Sequence, residues 1–246
     1  MQSSKERNFR TIESKILYFG NPVALVSSLN EDGITNLAPI SSFWALGWTF
    51  MLGLLDETKT AENLARCPEC VINLPEPERW EQVEKLAPLT GKNPVPELKT
   101  KQFHYERDKF GASGFTQLES EVVKPMRVKE CAVHLEARVS QLRKMHGTRL
   151  EELGGGIAAE VEIVRVHVAE EYVVGEKYIN PERWSPLIYN SGITLASPKR
   201  NWARRFVPRS SSDCDAQTMR MVLLVDHDAA GAGAGAEQGA SAIHCP

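Results

Sequence analysis

Residues 22–29 read Pro-Val-Ala-Leu-Val-Ser-Ser-Leu and stop at Asn30-Glu31-Asp32-Gly33. A β-branched apolar run closed by an Asp-Gly step is a strand ending in a tight turn. Two further runs follow at once, Ile34 to Phe43 and Trp48 to Leu55. Three consecutive strands with connections this short indicate an antiparallel meander, because a parallel neighbour needs a longer crossover.

The pattern then changes period. Lys59 to Arg66 holds good helix formers and stops before Pro68, which predicts a short helix. Glu69 to Leu74 predicts a strand closed by Pro75 and Pro77. Residues 75–127 are irregular: Glu78 to Leu86 suits a helix, and Pro88, Gly91, Pro94 and Pro96 force loops. Strand character returns over 128–143, where Val133, Leu135, Ala137 and Val139 alternate with His134, Glu136 and Arg138. Gly154-Gly155-Gly156 marks a turn. Ile157 to Val168 is another strand, with its alternation broken near Ile163-Val164, where a bulge is expected. The residues by themselves therefore predict six or seven antiparallel strands with one short helix in their midst. A closed barrel is the expected solution, because closure removes exposed edges.

From Pro208 the chain turns polar and then Ala-, Gly- and Ser-rich. Residues 1–207 are read as the folded domain, and 208–246 as a disordered tail with a transiently structured piece at Arg220 to Val225. A chain of 246 residues with 42% hydrophobic residues can build a core without disulfides. Its five cysteines are an odd number behind a polar N-terminus that lacks signal-peptide character, so free thiols and a cytoplasmic setting are expected. No apolar run is long enough for a membrane helix. A net charge of −3 argues against a nucleic-acid binder. The cluster Lys199, Arg200, Arg204, Arg205 and Arg209 is read as a solvated basic stretch.

Several features bear on chemistry. Met221 to Asp226, followed by Gly231, Gly233 and Ala236, mimics a dinucleotide fingerprint, but the chain as given ends before the helix and second strand that fingerprint needs. Cys67-Pro68-Glu69-Cys70 has no second pair, so buried free thiols are expected and no metal is assigned. His134 and His167 are read as structural, with proton transfer the sharper alternative. Asp56-Glu57-Thr58-Lys59-Thr60 opens the predicted helix, whose first amides attract an anion. A lysine and threonine hydroxyls there compose a phosphate seat, or equally an ordinary helix cap with a solvated lysine. Asn36-Leu37-Ala38-Pro39-Ile40-Ser41-Ser42-Phe43 places a proline within a strand run, which belongs at an edge or bulge and leaves backbone groups free to face a ligand. Small Ala38, Ser41 and Ser42 permit close approach of a heteroaromatic edge.

Taken in order along the chain, these pieces resemble the flavin reductase-like proteins, whose fold is an FMN-binding split barrel. The resemblance runs from Ile12 to Ala196. It is carried by VALVSSL with its NEDG turn, Asn36 to Phe43, Lys59-Thr60 with Asn63, and Cys70 to Pro75. Asp108-Lys109-Phe110 with Gly114-Phe115-Thr116, Lys129 to Val133, Ala159-Glu160-Val161 with Arg165 to Val168, and Trp184 to Tyr189 before Ser191-Gly192 complete it. The chain departs from the family at Ala159, usually Gly, and at Thr194, often aromatic.

The resemblance implies a mainly β, antiparallel Greek-key split barrel that is homodimeric, with FMN in a groove near the dimer interface. Asn36, Ala38, Pro39, Ile40, Ser41, Ser42 and Phe43 would line the ribityl and isoalloxazine. Lys59 and Thr60 would hold the phosphate, with Asn63 supporting. The implied activity is NAD(P)H-dependent flavin reduction, hydride passing from NADH or NADPH to flavin N5. A flavin-binding electron carrier reduced by another protein is the alternative, as is an FMN-dependent enzyme acting on a small organic substrate beneath the 75–127 insertion. No catalytic side chain is assigned, since the flavin carries the redox chemistry.

Overall fold

The structure is a computed structural model that describes residues 7–14, 16–175, 177–190 and 193–196. Its strands of four residues or more are β1 (Phe19–Pro22), β2 (Ala24–Leu29), β3 (Thr35–Ile40), β4 (Phe43–Leu46), β5 (Thr49–Leu55), β6 (Glu69–Leu74), β7 (Val133–Met145), β8 (Gly156–Val168), β9 (Leu187–Asn190) and β10 (Ile193–Ala196). The helices that matter below are α1 (Lys59–Arg66), α2 (Trp80–Leu86) and α3 (Lys109–Ser113).

Seven strands form one antiparallel sheet in the order β3-β2-β6-β7-β8-β5-β4. Its two edge strands, β3 and β4, are consecutive in the chain, with only Ser41 and Ser42 between them. Laid flat, seven strands span roughly 29 Å from edge to edge. The three Cα steps from Ile40 to Phe43 span at most about 11 Å. The sheet must therefore curl until its edges meet. No ladder joins β3 to β4, so the cylinder stays split, where the residues alone suggested full closure. Pro39 lies in the β3 edge and has no N–H to offer across the gap, which suits a strand that ends the ladder. The split barrel implied by the family resemblance is the architecture found.

Local signals in the chain match most elements. The predicted helix 59–66 and strand 69–74 form with those bounds. The run read as one strand over Ile34 to Phe43 is two, broken at Ser41-Ser42. The predicted helix at 78–86 is a 3₁₀ turn, Pro77–Arg79, leading into α2. In the β7–β8 hairpin, Glu136 faces Arg165 and Ala137 faces Ile163, which leaves Val164 as the extra residue of a bulge.

Two apolar clusters flank the sheet. Ala24, Val26, Leu52, Ile72, Ala137 and Val161 fill the barrel. Val23, Leu25, Leu37, Val83, Phe110 and Leu187 form a second cluster outside it, where the 75–131 segment and β9 cover β2 and β3. This explains the unbroken apolar run of β2, whose two faces serve different cores. The tail 208–246, the piece at Arg220 to Val225, the Met221–Ala236 fingerprint mimic and the cluster Lys199 to Arg209 lie outside the described residues.

Candidate functional site

The seam where the barrel splits opens into a cavity of about 110 Å³ lined mostly by apolar side chains. One wall is the end of β3 and the link to β4, namely Ala38, Pro39, Ile40, Ser41 and Ser42. The floor comes from Gly53, Leu54 and Leu55 of β5 and the amino end of α1. The insertion roofs it with Leu86, Leu89, Thr90, Gly91, Lys99, Phe103 and Lys109, and Tyr18 and Tyr189 close the far side.

The β3–β4 wall is held by short backbone contacts. Gly53 N donates to Ser42 O at 2.6 Å, and Ser42 Oγ donates back to Gly53 O at 2.6 Å. A Cβ on Gly53 would stand 3.2 Å from that of Ser42, so the absence of a side chain lets the strand approach the link. Two hydroxyls in the cavity wall, Ser41 Oγ and Tyr189 OH, are buried without a hydrogen-bond partner among the described residues. Buried polar groups are rarely left so, and a ligand with polar edges satisfies them.

At the amino end of α1, the Thr58 side chain accepts from Ala61 N at 3.2 Å and donates to Leu55 O at 2.8 Å, capping the helix. Beside it, Asn36 Nδ2 donates to Thr60 Oγ1 at 3.3 Å and to Ser28 Oγ at 3.4 Å. Asn63 Nδ2 donates to Asn30 Oδ1 at 2.8 Å and to Ser28 Oγ at 3.1 Å. Asn36 and Asn63 thus form a polar layer behind the helix end rather than its cavity-facing surface. The insertion comes close here, for a Cβ on Gly91 would fall 2.6 Å from Asn36 Oδ1 and 3.0 Å from Lys59 Cγ.

Of the residues picked from sequence, Ala38 to Ser42, Lys59 and Thr60 share the cavity. Asn36 and Asn63 stand one layer back. Phe43 points elsewhere, stacked on Phe50 inside the barrel with ring centroids 6.3 Å apart. The Lys59 ammonium donates to Glu31 at 2.8 Å and to Glu62 at 2.7 Å. Burial pulls its pKa down, but the hydrogen bonds to these carboxylates prevail and hold it above the ordinary lysine value.

Lys99 and Lys109 are not among the site residues expected from the sequence, although Lys109 stands in the Asp108-Lys109-Phe110 stretch that carries the family resemblance. Both are buried, at 8% and 3% exposure, and both line the cavity. Burial depresses Lys99, with the Glu57 charge opposing. Burial and then the Lys99 charge push Lys109 down to about 7, with Glu106 opposing. A cap signature marks the segment in the chain: Asp108 accepts from Gly111 N at 2.9 Å, and Gly114 ends α3 at φ 77°. Nothing local shows that the lysine beside the cap turns inward.

The other candidates are structural. Cys67, Cys70 and Cys131 are free thiols, and burial pushes Cys70 up to about 12, which keeps it protonated and unreactive. Cys67 is only partly buried, so the expected burial holds for Cys70 and not fully for Cys67. His134 Nε2 meets Val128 O at 2.7 Å, and His167 Nε2 meets Glu136 Oε1 at 2.7 Å. The buried Glu136 carboxylate also accepts from the backbone of Glu121, Val122 and Val123, so this network pins a loop away from the cavity. No cluster of metal-ligating side chains occurs among the described residues. Nor is any helix among them long and apolar enough to cross a membrane.

Comparison with known proteins agrees with this architecture. A curated relative, the uncharacterized protein YdfE of Bacillus subtilis (strain 168), is 43% identical over 186 residues, covering 75% of this chain and 87% of its own. The flavoredoxin of Desulfovibrio vulgaris (Miyazaki F) superposes with a TM-score of 0.61 at 16% identity, covering 84% of this chain and 99% of its own. The nitrilotriacetate monooxygenase component B of Bacillus cereus superposes with a TM-score of 0.59 at 20% identity, covering 78% and 94%. At these identities the two structures speak for the fold alone. The model of the flavin reductase like domain matches residues 16–192. The chain therefore belongs to the flavin reductase like domain family, a class of flavin-binding oxidoreductases.

Proposed function

We propose that this protein binds FMN in the cavity at the barrel seam and reduces it with NADH or NADPH. The observation that carries the reading is the cavity itself. Its wall joins a small-residue strand end bearing the unpaired Ser41 hydroxyl to the amino end of a capped helix. Bound flavin would supply the redox chemistry, accepting a hydride at its ring and passing electrons on. The chain's own residues bind and orient. Ala38 to Ser42 line the isoalloxazine and ribityl, with backbone groups and the Ser41 hydroxyl bonding their polar edges. The phosphate would lie at the amino end of α1 against Thr60 and the first helix amides, and Asn36 and Asn63 hold that end in place. Phe103, Leu89 and Leu86 of the roof exclude water from the ring.

A second reading, an FMN-dependent enzyme acting on a small organic substrate, is favoured by the insertion, because residues 86–109 supply the roof of the same cavity. Exposed Trp44, Leu46 and Trp48 on the edge hairpin β4–β5 support a homodimer through that face. The free thiols suit a cytoplasmic setting.

The test is an anaerobic titration of the flavin-loaded, desalted protein. Bleaching of the visible flavin band by NADH or NADPH alone is the expected result. A retained band that neither nucleotide bleaches overturns the reductase assignment in favour of an electron carrier or substrate-specific flavoenzyme.

A further inference from the structure

We infer that the cationic seat for a phosphate monoester in this cavity is built by Lys109 and Lys99 of the insertion, not by the ammonium of Lys59. The inference rests on the flavin reading for the source of the phosphate, but its chemistry, a buried seat for a dianion, is tested separately below.

Among the described residues that line the cavity, the charged side chains are Lys59, Lys99 and Lys109. No carboxylate lines it. The three lysines are not equivalent. Lys59 belongs to a cluster that is already neutral: Lys59 bonds Glu31 and Glu62, and Lys92 bonds the other oxygen of Glu62. Two cations face two carboxylates there, and an arriving phosphate would have to compete with both. Lys109 is 3% exposed and lines the cavity, and no carboxylate among the described residues forms an ion pair with it. Lys99 is 8% exposed and has one partner, a backbone carbonyl, donating from Nζ to Glu57 O at 3.3 Å. Glu57 immediately precedes the cap Thr58, so this bond puts the Lys99 ammonium at the amino end of α1.

A largely buried ammonium without a carboxylate partner is costly, and Lys109, with Lys99 bonded only to a carbonyl, calls for an anion from elsewhere to offset the charge. A phosphate monoester carries about −1.5 to −2 charges near neutral pH. Two lysines with the first amides of a helix match that charge and geometry. The insertion thereby acts as more than a roof, because it brings the countercharge with it. Lys59 acts as a positioning residue, tying α1 to the turn at Glu31.

The experiment measures FMN and riboflavin affinity by flavin fluorescence for the full chain and for Lys109→Met, Lys99→Met and Lys59→Met. Riboflavin lacks the phosphate, so its affinity reports the intact cavity. The expected result is a fall in FMN-over-riboflavin preference of roughly 10- to 100-fold for Lys109→Met and for Lys99→Met. Lys59→Met should change it by less than about threefold. Loss of preference in Lys59→Met with retention in the other two overturns the inference. If the unaltered protein binds neither flavin, the flavin reading fails by itself. The seat then stands if inorganic phosphate raises the melting temperature of the unaltered protein but not of Lys109→Met, and falls if phosphate shifts neither.

Discussion

Lys59 and Lys109 line the same cavity and have opposite fates. Lys59 sits on the first turn of a helix, meets two carboxylates within 3 Å and keeps its charge. Lys109 sits on a five-residue helix in an irregular insertion, meets none, and is held to about 7. The lesson is that a lysine at a helix start, the most visible feature of a phosphate seat in a sequence, is a poor guide to where free positive charge resides. What decides is whether carboxylates have already answered that charge.

The comparison can be broken in three ways. The largest effect is expected from Lys109→Met on the ligand-free protein. The native-state pKa lies near 7 and the unfolded value near 10.5, so between those values the unfolded chain binds more protons. Lysine therefore destabilises the fold fully below about pH 7 and not at all well above pH 10. Methionine removes the penalty, and a gain of about 2–3 kcal/mol, or roughly 5–10 °C in melting temperature, is expected near pH 7. That gain should vanish as the pH approaches about 10.5. No gain in a thermal melt at neutral pH would show that Lys109 has a counter-anion of its own.

The next effect is on ligand affinity. Phosphate recruits Lys109 as the cation, so binding above about pH 7 requires proton uptake. Lys99 and Glu106 are the charged groups that act on Lys109 besides its burial, and they pull in opposite directions. FMN affinity should fall by up to about tenfold per pH unit above about pH 7. Riboflavin affinity should stay level, and so should FMN affinity in Lys109→Met. Parallel pH profiles for FMN and riboflavin would count against the seat.

The smallest effect sharpens the other corner. Hydrogen bonds from Lys59 and then Lys92 hold the Glu62 carboxyl down to about 2. Its contribution is present above about pH 4.5 and is lost as the pH falls toward about 2. Glu62 is about one-third exposed, so Glu62→Gln should cost only about 0.5–1 kcal/mol at neutral pH, read from denaturant melts. The same change frees Lys59, and the FMN-over-riboflavin preference should rise by about two- to threefold. A fall instead would mean that Glu62 organises the seat.

Much of the barrel was legible in the chain because its signals are local. Helix 59–66 is bounded by the cap Thr58 and by Pro68, and strand 69–74 by prolines. The bulge at Val164 showed as a break in side-chain alternation, and one extra residue produces that break wherever the strand lies. Ala38 to Ser42 and Thr60 were recoverable for the same reason: a proline in a strand and a hydroxyl in the first turn of a helix advertise their backbone. Phe43 was grouped with that wall because it follows Ser42, yet the step to β4 turns its ring toward Phe50.

The antiparallel strands, their turns, the short helix and the small-residue stretch at the seam follow from the chain alone, since period, proline and capping act over a few residues. Long-range packing sets the rest: the curled sheet stays split between β3 and β4, β2 is buried on both faces, and Lys99 and Lys109 line the cavity. Those outcomes depend on residues far apart in the chain. Glu31 reaches Lys59 across the first hairpin, and the insertion reaches α1 from forty residues downstream. Burial and countercharge are properties of such long-range meetings, and no window of sequence around a lysine contains them.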